Sequence, residues 1–350
     1  MPGEGEGGRR RIVLGLMADP GLPDAVAHKL VLRLQDALSG TGGSDVGWQV
    51  SVIRGTLPIN AAGDIQLLKY AAGLKREHGW DLLVYLTDLP RFTGDQPLIS
   101  DVDVGEGAAL VSLPALGSLR VTARTLQAVL RAVRQMADGY SPDGPRQPGK
   151  VVRHSYSAGV RAKIRLMLGM VRSNRPGRLL PSLSSATAAA IGTGAFGIFY
   201  TSIWNMAAAS IPLRLAGISL LSICAMTIWL IGHNGLWDRS ERLGLSGRSG
   251  LDNAATVITV LLSVAAMYAL LFVVLFLGSL AIISGQYLES QLRHPVGPAD
   301  YARLAWLASS LGTFAGALGS SFDSNESIRE ATYSRRQHER RKLADDASDE

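Results

Sequence analysis

Asp19, Asp88 and Arg91 are the residues of this sequence best placed to do chemistry. They sit in two turns that each follow a short apolar run, Asp19-Pro20-Gly21 and Thr87-Asp88-Leu89-Pro90-Arg91. If those runs are parallel strands, the turns lie beyond the strand carboxyl ends. Open parallel sheets bind ligands there, near a topological switch point. Two carboxylates and a guanidinium converging in one cleft could hold a small ligand or assist a metal. The competing reading is local, because Asp and Pro also set turn geometry on their own.

A second acidic group, Asp101, Asp103 and Glu106, has the pattern D-x-D-x-x-E. Alternate carboxylates on a strand share a face and could bind a divalent cation. Charge on an exposed strand edge also blocks unwanted pairing, and a solvated edge is the expectation here. No metal site is predicted. The sequence holds no G-x-x-x-x-G-K-[ST], H-E-x-x-H or G-x-S-x-G, and no G-x-G-x-x-G after the first apolar run. That excludes P-loop, zincin, nucleophile-elbow and dinucleotide fingerprints. The six His have no ligand spacing, and Cys224 stands alone in an apolar run. An internal disulfide and a Cys-based metal site are thereby excluded, and no cofactor is implied.

The elements that must carry these residues read as an α/β domain over 12–138. Residues 12–18, 48–54 and 81–87 are strands, and 24–38 and 64–78 are helices with apolar residues at helical spacing. In the second helix Ile65, Leu68, Ala72 and Leu74 point inward. The order β-α-β-α-β predicts a mostly parallel sheet. Residues 97–103 and 108–113 add a hairpin, and 121–137 an amphipathic helix. Residues 1–11 are Gly-rich and charged, with no apolar core of a signal peptide, so the amino end is expected in the cytosol and disordered.

Residues 139–182 read as a Pro/Gly linker followed by a basic amphipathic helix. Positions 145–180 hold nine Lys or Arg and no acid, whereas 1–140 hold 14 basic and 15 acidic residues. Arg161, Lys163, Arg165 and Arg172 could lie on lipid headgroups with the apolar side in the acyl boundary. The alternative is a helix packed on the first domain. Nucleic acid is not a predicted partner, since no binding motif accompanies the charge.

Residues 254–284 carry no Asp, Glu, Lys, Arg or His. About 20 apolar residues cross the hydrocarbon of a bilayer, so this run reads as a membrane span. Further spans are expected at 183–206, 213–232 and 304–322, giving an all-α four-helix transmembrane domain over 183–322. The run GTGAFG (192–197) and Gly312-x-x-x-Gly316 read as small-residue packing between spans. The 207–212 loop holds no Lys or Arg and the 285–301 loop one, against nine before the first span, three in the 233–253 loop and six in the tail 323–350. Basic residues are retained on the cytoplasmic side, so four spans with both ends cytoplasmic fit, in the cell membrane.

The sequence therefore predicts a multi-pass membrane protein whose cytosolic α/β domain binds a protein partner, a second copy or a small ligand, with membrane lipids as the other partner. A transporter or transporter subunit and a membrane-tethered enzyme are the alternatives; a non-enzymatic role is favoured. No ionisable residue falls at mid-depth in a span, which argues against ion coupling.

Overall fold

A computed structural model describes residues 10–40, 46–60, 64–93, 96–137, 152–156, 159–174, 183–237 and 246–322. The chain divides into two compact units at the Ser173–Asn174 junction. The first is a mixed α/β sheet unit and the second is helical.

The first unit runs β1 (Arg10–Ala18), α1 (Leu22–Ser39), β2 (Val46–Arg54), α2 (Leu67–His78) and β3 (Leu82–Thr87). It continues through β4 (Phe92–Thr93), β5 (Gln96–Asp103), β6 (Ala108–Ser112), the single turn α3 (Leu113–Leu116), α4 (Val121–Ala137), β7 (Val152–Tyr156) and α5 (Val160–Asn174). The sheet order is β2-β1-β3-β6-β5-β4, with β7 also on β5. Strands β2, β1, β3 and β6 are parallel. Strand β5 is antiparallel to β6, β4 and β7, so the hairpin read at 97–113 forms.

Burial explains the strand sequences. Every residue of β3 is buried, as a strand covered on both faces requires. Leu30 and Leu34 of α1 and Val129 and Val133 of α4 share one core with Leu14, Leu16, Val102, Ala109 and Val111. Side chains alternate along a strand, so Asp101, Asp103, Ala108 and Leu110 must face the other way. That opposite face is where the amino end of α2 lies.

Helix α2 departs from the sequence reading. It begins at Leu67, not Asp64, and turns Leu67 and Ala71 inward while Leu68 is exposed. The reason is the segment before it. Ile59 and Ile65 form a β-bridge, Asn60 N–H donates to Asp64 O (2.8 Å), and Asp64 N–H donates to Asn60 Oδ1 (2.7 Å). Those bonds hold Asp64 in a turn and move the helix start by three residues. A second correction concerns residues 152–156, which fall in the stretch read as linker. They pair with β5 as β7, so β5 is an inner strand and its acids are not a solvated edge. The rest of that linker, 138–151, lies outside the described residues, as do most of 1–11 and the tail 323–350.

The second unit contains α6 (Ser184–Phe199), α7 (Thr201–Ala209), α8 (Pro212–His233), α9 (Ser246–Ile282), α10 (Gly285–Leu292) and α11 (Pro298–Gly319), closed by a 3-10 turn (Ser320–Phe322). Among the described residues two helical stretches, Pro212–His233 and Gly250–Ile282, are long and apolar enough to cross a membrane. The span read at 183–206 is not one straight helix. It breaks at Tyr200, and α6 and α7 are bent by 86°. The break is hydrogen-bonded: Trp204 Nε1–H donates to the Ile198 carbonyl at 2.8 Å. If the bent pair is one span, the candidates number three. The stretch 285–301, read as a loop, holds α10, whose first turn is capped by Ser284 Oγ accepting from Tyr287 N–H.

The fourth expected span falls in α11, which is not among the apolar candidates. Its sequence is rich in Gly, Ala and Ser where it meets other helices closely. It packs on α6, α8 and α9. A Cβ on Gly312 would stand 2.4 Å from the Ala190 carbonyl oxygen, and one on Gly316 2.9 Å from that of Ala186. Only glycine lets the two backbones approach this closely. On the α8 and α9 side, Trp306 Nε1–H donates to Ser219 Oγ (2.6 Å), and Tyr268 OH lies 2.9 Å from both Ser219 Oγ and Ser310 Oγ. This cluster ties α8, α9 and α11 together through polar atoms that water does not reach easily.

Outward, the unit is greasy. Leu220, Leu221 and Ile228 of α8, Leu262, Leu270, Val273, Leu277 and Leu280 of α9, and Phe314 and Leu318 of α11 are all exposed. An apolar surface of that extent marks a face that meets something other than water. The sheet unit, by contrast, exposes few large apolar side chains outside α5, chiefly Leu32, Leu68 and Leu119.

Candidate functional site

The sheet order creates the site. Strand β1 pairs with β2 on one side and β3 on the other, all parallel. The chain therefore leaves β1 in one direction and returns on its far side. That reversal is the topological switch point, at the carboxyl ends of β1 and β3. Asp19 follows the last residue of β1 and Asp88 the last of β3. Asp19 N–H donates to the Leu86 carbonyl at 3.0 Å, which continues the β1–β3 pairing by one residue and fixes the aspartate backbone.

Both carboxyl groups are withdrawn from solvent, Asp19 at 0 % and Asp88 at 1 % exposure. Burying a carboxylate is costly unless hydrogen bonds replace its water. For Asp19 one replacement comes from Tyr85, whose hydroxyl donates to Asp19 Oδ1. The same hydroxyl accepts the Leu57 N–H at 3.1 Å, linking the turn after β2 to the ends of β1 and β3. The turn carrying Asp88 is held too: Leu89 N–H donates to Thr87 Oγ1 (3.1 Å) and Ser112 Oγ–H to the Leu89 carbonyl (2.8 Å).

Arg91 has a different setting. Its Nη1 donates to Asp64 Oδ1 at 2.8 Å, so the acid that was read as a helix start holds the guanidinium instead. Arg91 lines an open cleft of about 220 Å³ with Asn60, Gln66, Lys69, Asp101 and Asp103, while Asp19 and Asp88 are not on its wall. The three residues expected in one cleft are thus split between a buried edge and an open cavity.

The acidic pattern at 101–106 belongs to that cavity. Asp101 and Asp103 share the cleft face of β5, as alternation requires. Asp101 Oδ1 lies 3.2 Å from His154 Nδ1 of β7, and Asp103 Oδ1 accepts the Glu106 N–H at 2.9 Å. Glu106 is engaged through its backbone, with its carbonyl accepting from Lys75 Nζ. Among the described residues no three His, Cys, Asp or Glu side chains are grouped to hold a metal ion. The cleft therefore carries charge of both signs, with Arg91 and Lys69 basic and Asp101 and Asp103 acidic. That arrangement suits a small dipolar molecule.

Tyr85, Asp64 and Asn60 are site residues that sequence reasoning missed. Tyr85 had a legible signal: it carries the one hydroxyl inside the run Leu82–Leu86, and a tyrosine in a fully buried strand needs a partner for its OH. Asp64 had none, since its role depends on where Arg91 falls. The basic residues read as membrane-facing, Arg161, Lys163, Arg165 and Arg172, lie on α5, with Arg161 and Arg172 exposed and the other two half-buried.

The fold and site define a class: a mixed α/β sheet unit with an open cleft lined by charged residues, followed by a helical unit with two or three candidate membrane spans. No protein-family model, curated protein or solved structure matches the chain.

Proposed function

We propose that this is a multi-pass integral membrane protein, with both ends in the cytoplasm, whose α/β unit binds a small dipolar ligand and passes its occupancy to the helical unit. The observation that carries the ligand reading is the open cleft lined by Arg91, Lys69, Asp101 and Asp103. A charged hydrogen bond to a ligand contributes about 1.5–3 kcal/mol, roughly tenfold or more in affinity. Small molecules released by acid from the detergent-purified full chain should include one whose recovery falls at least about tenfold in Arg91→Ala. Equal recovery from both proteins, or none from either, removes the cleft as the binding site.

The orientation rests on four crossings: the bent pair of α6 and α7, then α8, α9 and α11. Helix α11 has 22 residues, about 33 Å at 1.5 Å per residue, enough to cross. Its Gly, Ala and Ser residues pack on other helices, while Leu311, Phe314 and Leu318 give it an exposed apolar face. The charge asymmetry of the loops supports the same side facing inward throughout. A reporter active only in the cytosol, fused after Glu350, should be fully active. A silent fusion expressed at normal level would show that α11 does not cross.

A further inference from the structure

We propose that α5 is a two-faced docking helix whose outer face lies on an anionic phospholipid surface. This rests on the reading that the helical unit crosses a bilayer. The inner face is occupied. Ala162, Leu166 and Met170 are buried. A Cβ on Gly169 would meet the Pro114 backbone at 2.1 Å, and one on Gly117 would meet the Arg165 stem at 2.6 Å. Helix α5 is thus seated on α3 of the sheet unit.

The opposite face is exposed over the first three turns and closes at Val171, which is buried. Val160, Ile164 and Leu168 recur every fourth residue and are 73 %, 51 % and 48 % exposed. At about 100° per residue this stripe and the buried set fall on opposite sides of the helix, with Arg161, Arg165 and Arg172 along one margin of the stripe and Lys163 along the other. An apolar stripe with basic margins is the pattern of a helix lying in a lipid interface.

Two facts select lipid over other acidic partners. Positions 145–180 contain nine basic residues and not one acid, and the four of them on α5 give its stripe margins that complement an anionic surface. Helix α5 ends at Asn174 and α6 begins at Ser184. The intervening chain reaches about 35 Å at most, so α5 never leaves the neighbourhood of the membrane that α6 enters. A surface held at that distance meets headgroups at very high effective concentration.

The test uses the full chain carrying Cys224→Ala and Ile164→Cys, labelled with an environment-sensitive fluorophore and placed in nanodiscs. In discs of phosphatidylcholine with phosphatidylglycerol the emission should shift to the blue and resist an aqueous quencher; added salt should reverse both. Each basic residue near anionic lipid changes the docked-to-free ratio about fivefold, so Arg161→Glu with Arg172→Glu should reduce it at least about 25-fold. Arg161→Lys with Arg172→Lys should keep it, because headgroup attraction needs charge and not guanidinium shape; this pair also controls for folding.

Equal emission in discs with and without phosphatidylglycerol overturns the proposal. So does protection already present in detergent without lipid, which would mean the chain covers its own stripe. Protection gained only on adding a polynucleotide would assign the surface to nucleic acid instead. If the labelled chain does not enter discs at all, the membrane reading falls and this inference with it.

Discussion

Gly312→Leu should lower the stability of the helical unit by about 3 kcal/mol or more, and Gly312→Leu with Gly316→Leu should leave no folded unit to measure. A Cβ at 312 would stand 2.4 Å from a backbone carbonyl oxygen of α6, and one at 316 2.9 Å from another. Backbone cannot rotate aside as a side chain can. The helices must separate, and separation removes packing along much of α11. It also strains the cluster of Ser219, Tyr268, Trp306 and Ser310 on the far side of the same helix. Gly217→Leu is the control, since a Cβ there meets nothing within 4 Å. Thermal unfolding of the full chain in detergent, followed by tryptophan fluorescence, reads the difference. Similar losses at 217 and 312 would show that close approach of α6 and α11 is not what holds the unit.

Tyr85→Phe should cost about 2–4 kcal/mol in the α/β unit, a large loss for one oxygen atom. The change keeps the ring and its packing. It takes a donor from the buried Asp19 carboxylate and the acceptor from the Leu57 N–H together. Each buried polar group left short costs about 1–3 kcal/mol, more for a charged one. Asp19→Asn alone should cost less, because the amide oxygen still accepts from Tyr85. The double variant should be milder than the sum of the single losses, since residues sharing a hydrogen bond do not act independently. Denaturant unfolding of the four proteins supplies the cycle. Additive losses would show that the phenol and the carboxylate do not depend on one another, and the switch-point edge would lose its central link.

Local patterning made a good part of the first unit legible. Short apolar runs alternating with amphipathic stretches can bury themselves in few ways, and β1, α1, β2 and β3 formed where those patterns lie. Helix α2 shows the limit. Asp64 looks like a helix start by type, yet its backbone is engaged with Asn60 and its side chain with Arg91, 27 positions away. No window of local sequence contains that pairing. The strand at 152–156 was invisible for a related reason: Val152–Tyr156 is too polar and too short to announce itself, and the exposed edge of β5 recruits it.

The composition of residues 213–232 and 254–284 was by itself sufficient to mark apolar helices of membrane length, because the cost of charge in hydrocarbon leaves long runs with at most a charge near one end. Sequence also placed Asp19 and Asp88 at strand carboxyl ends, since the turn residues follow the apolar runs directly. Only the tertiary structure decided the rest. It buried those two acids, sent Arg91 to the cleft of Asp101 and Asp103, bent the first apolar stretch at Tyr200 and packed α11 closely against α6. The physical reason is common to all four. Patterning reports how a residue meets its own helix or strand, whereas burial, pairing and close approach are set by segments that arrive from elsewhere in the chain.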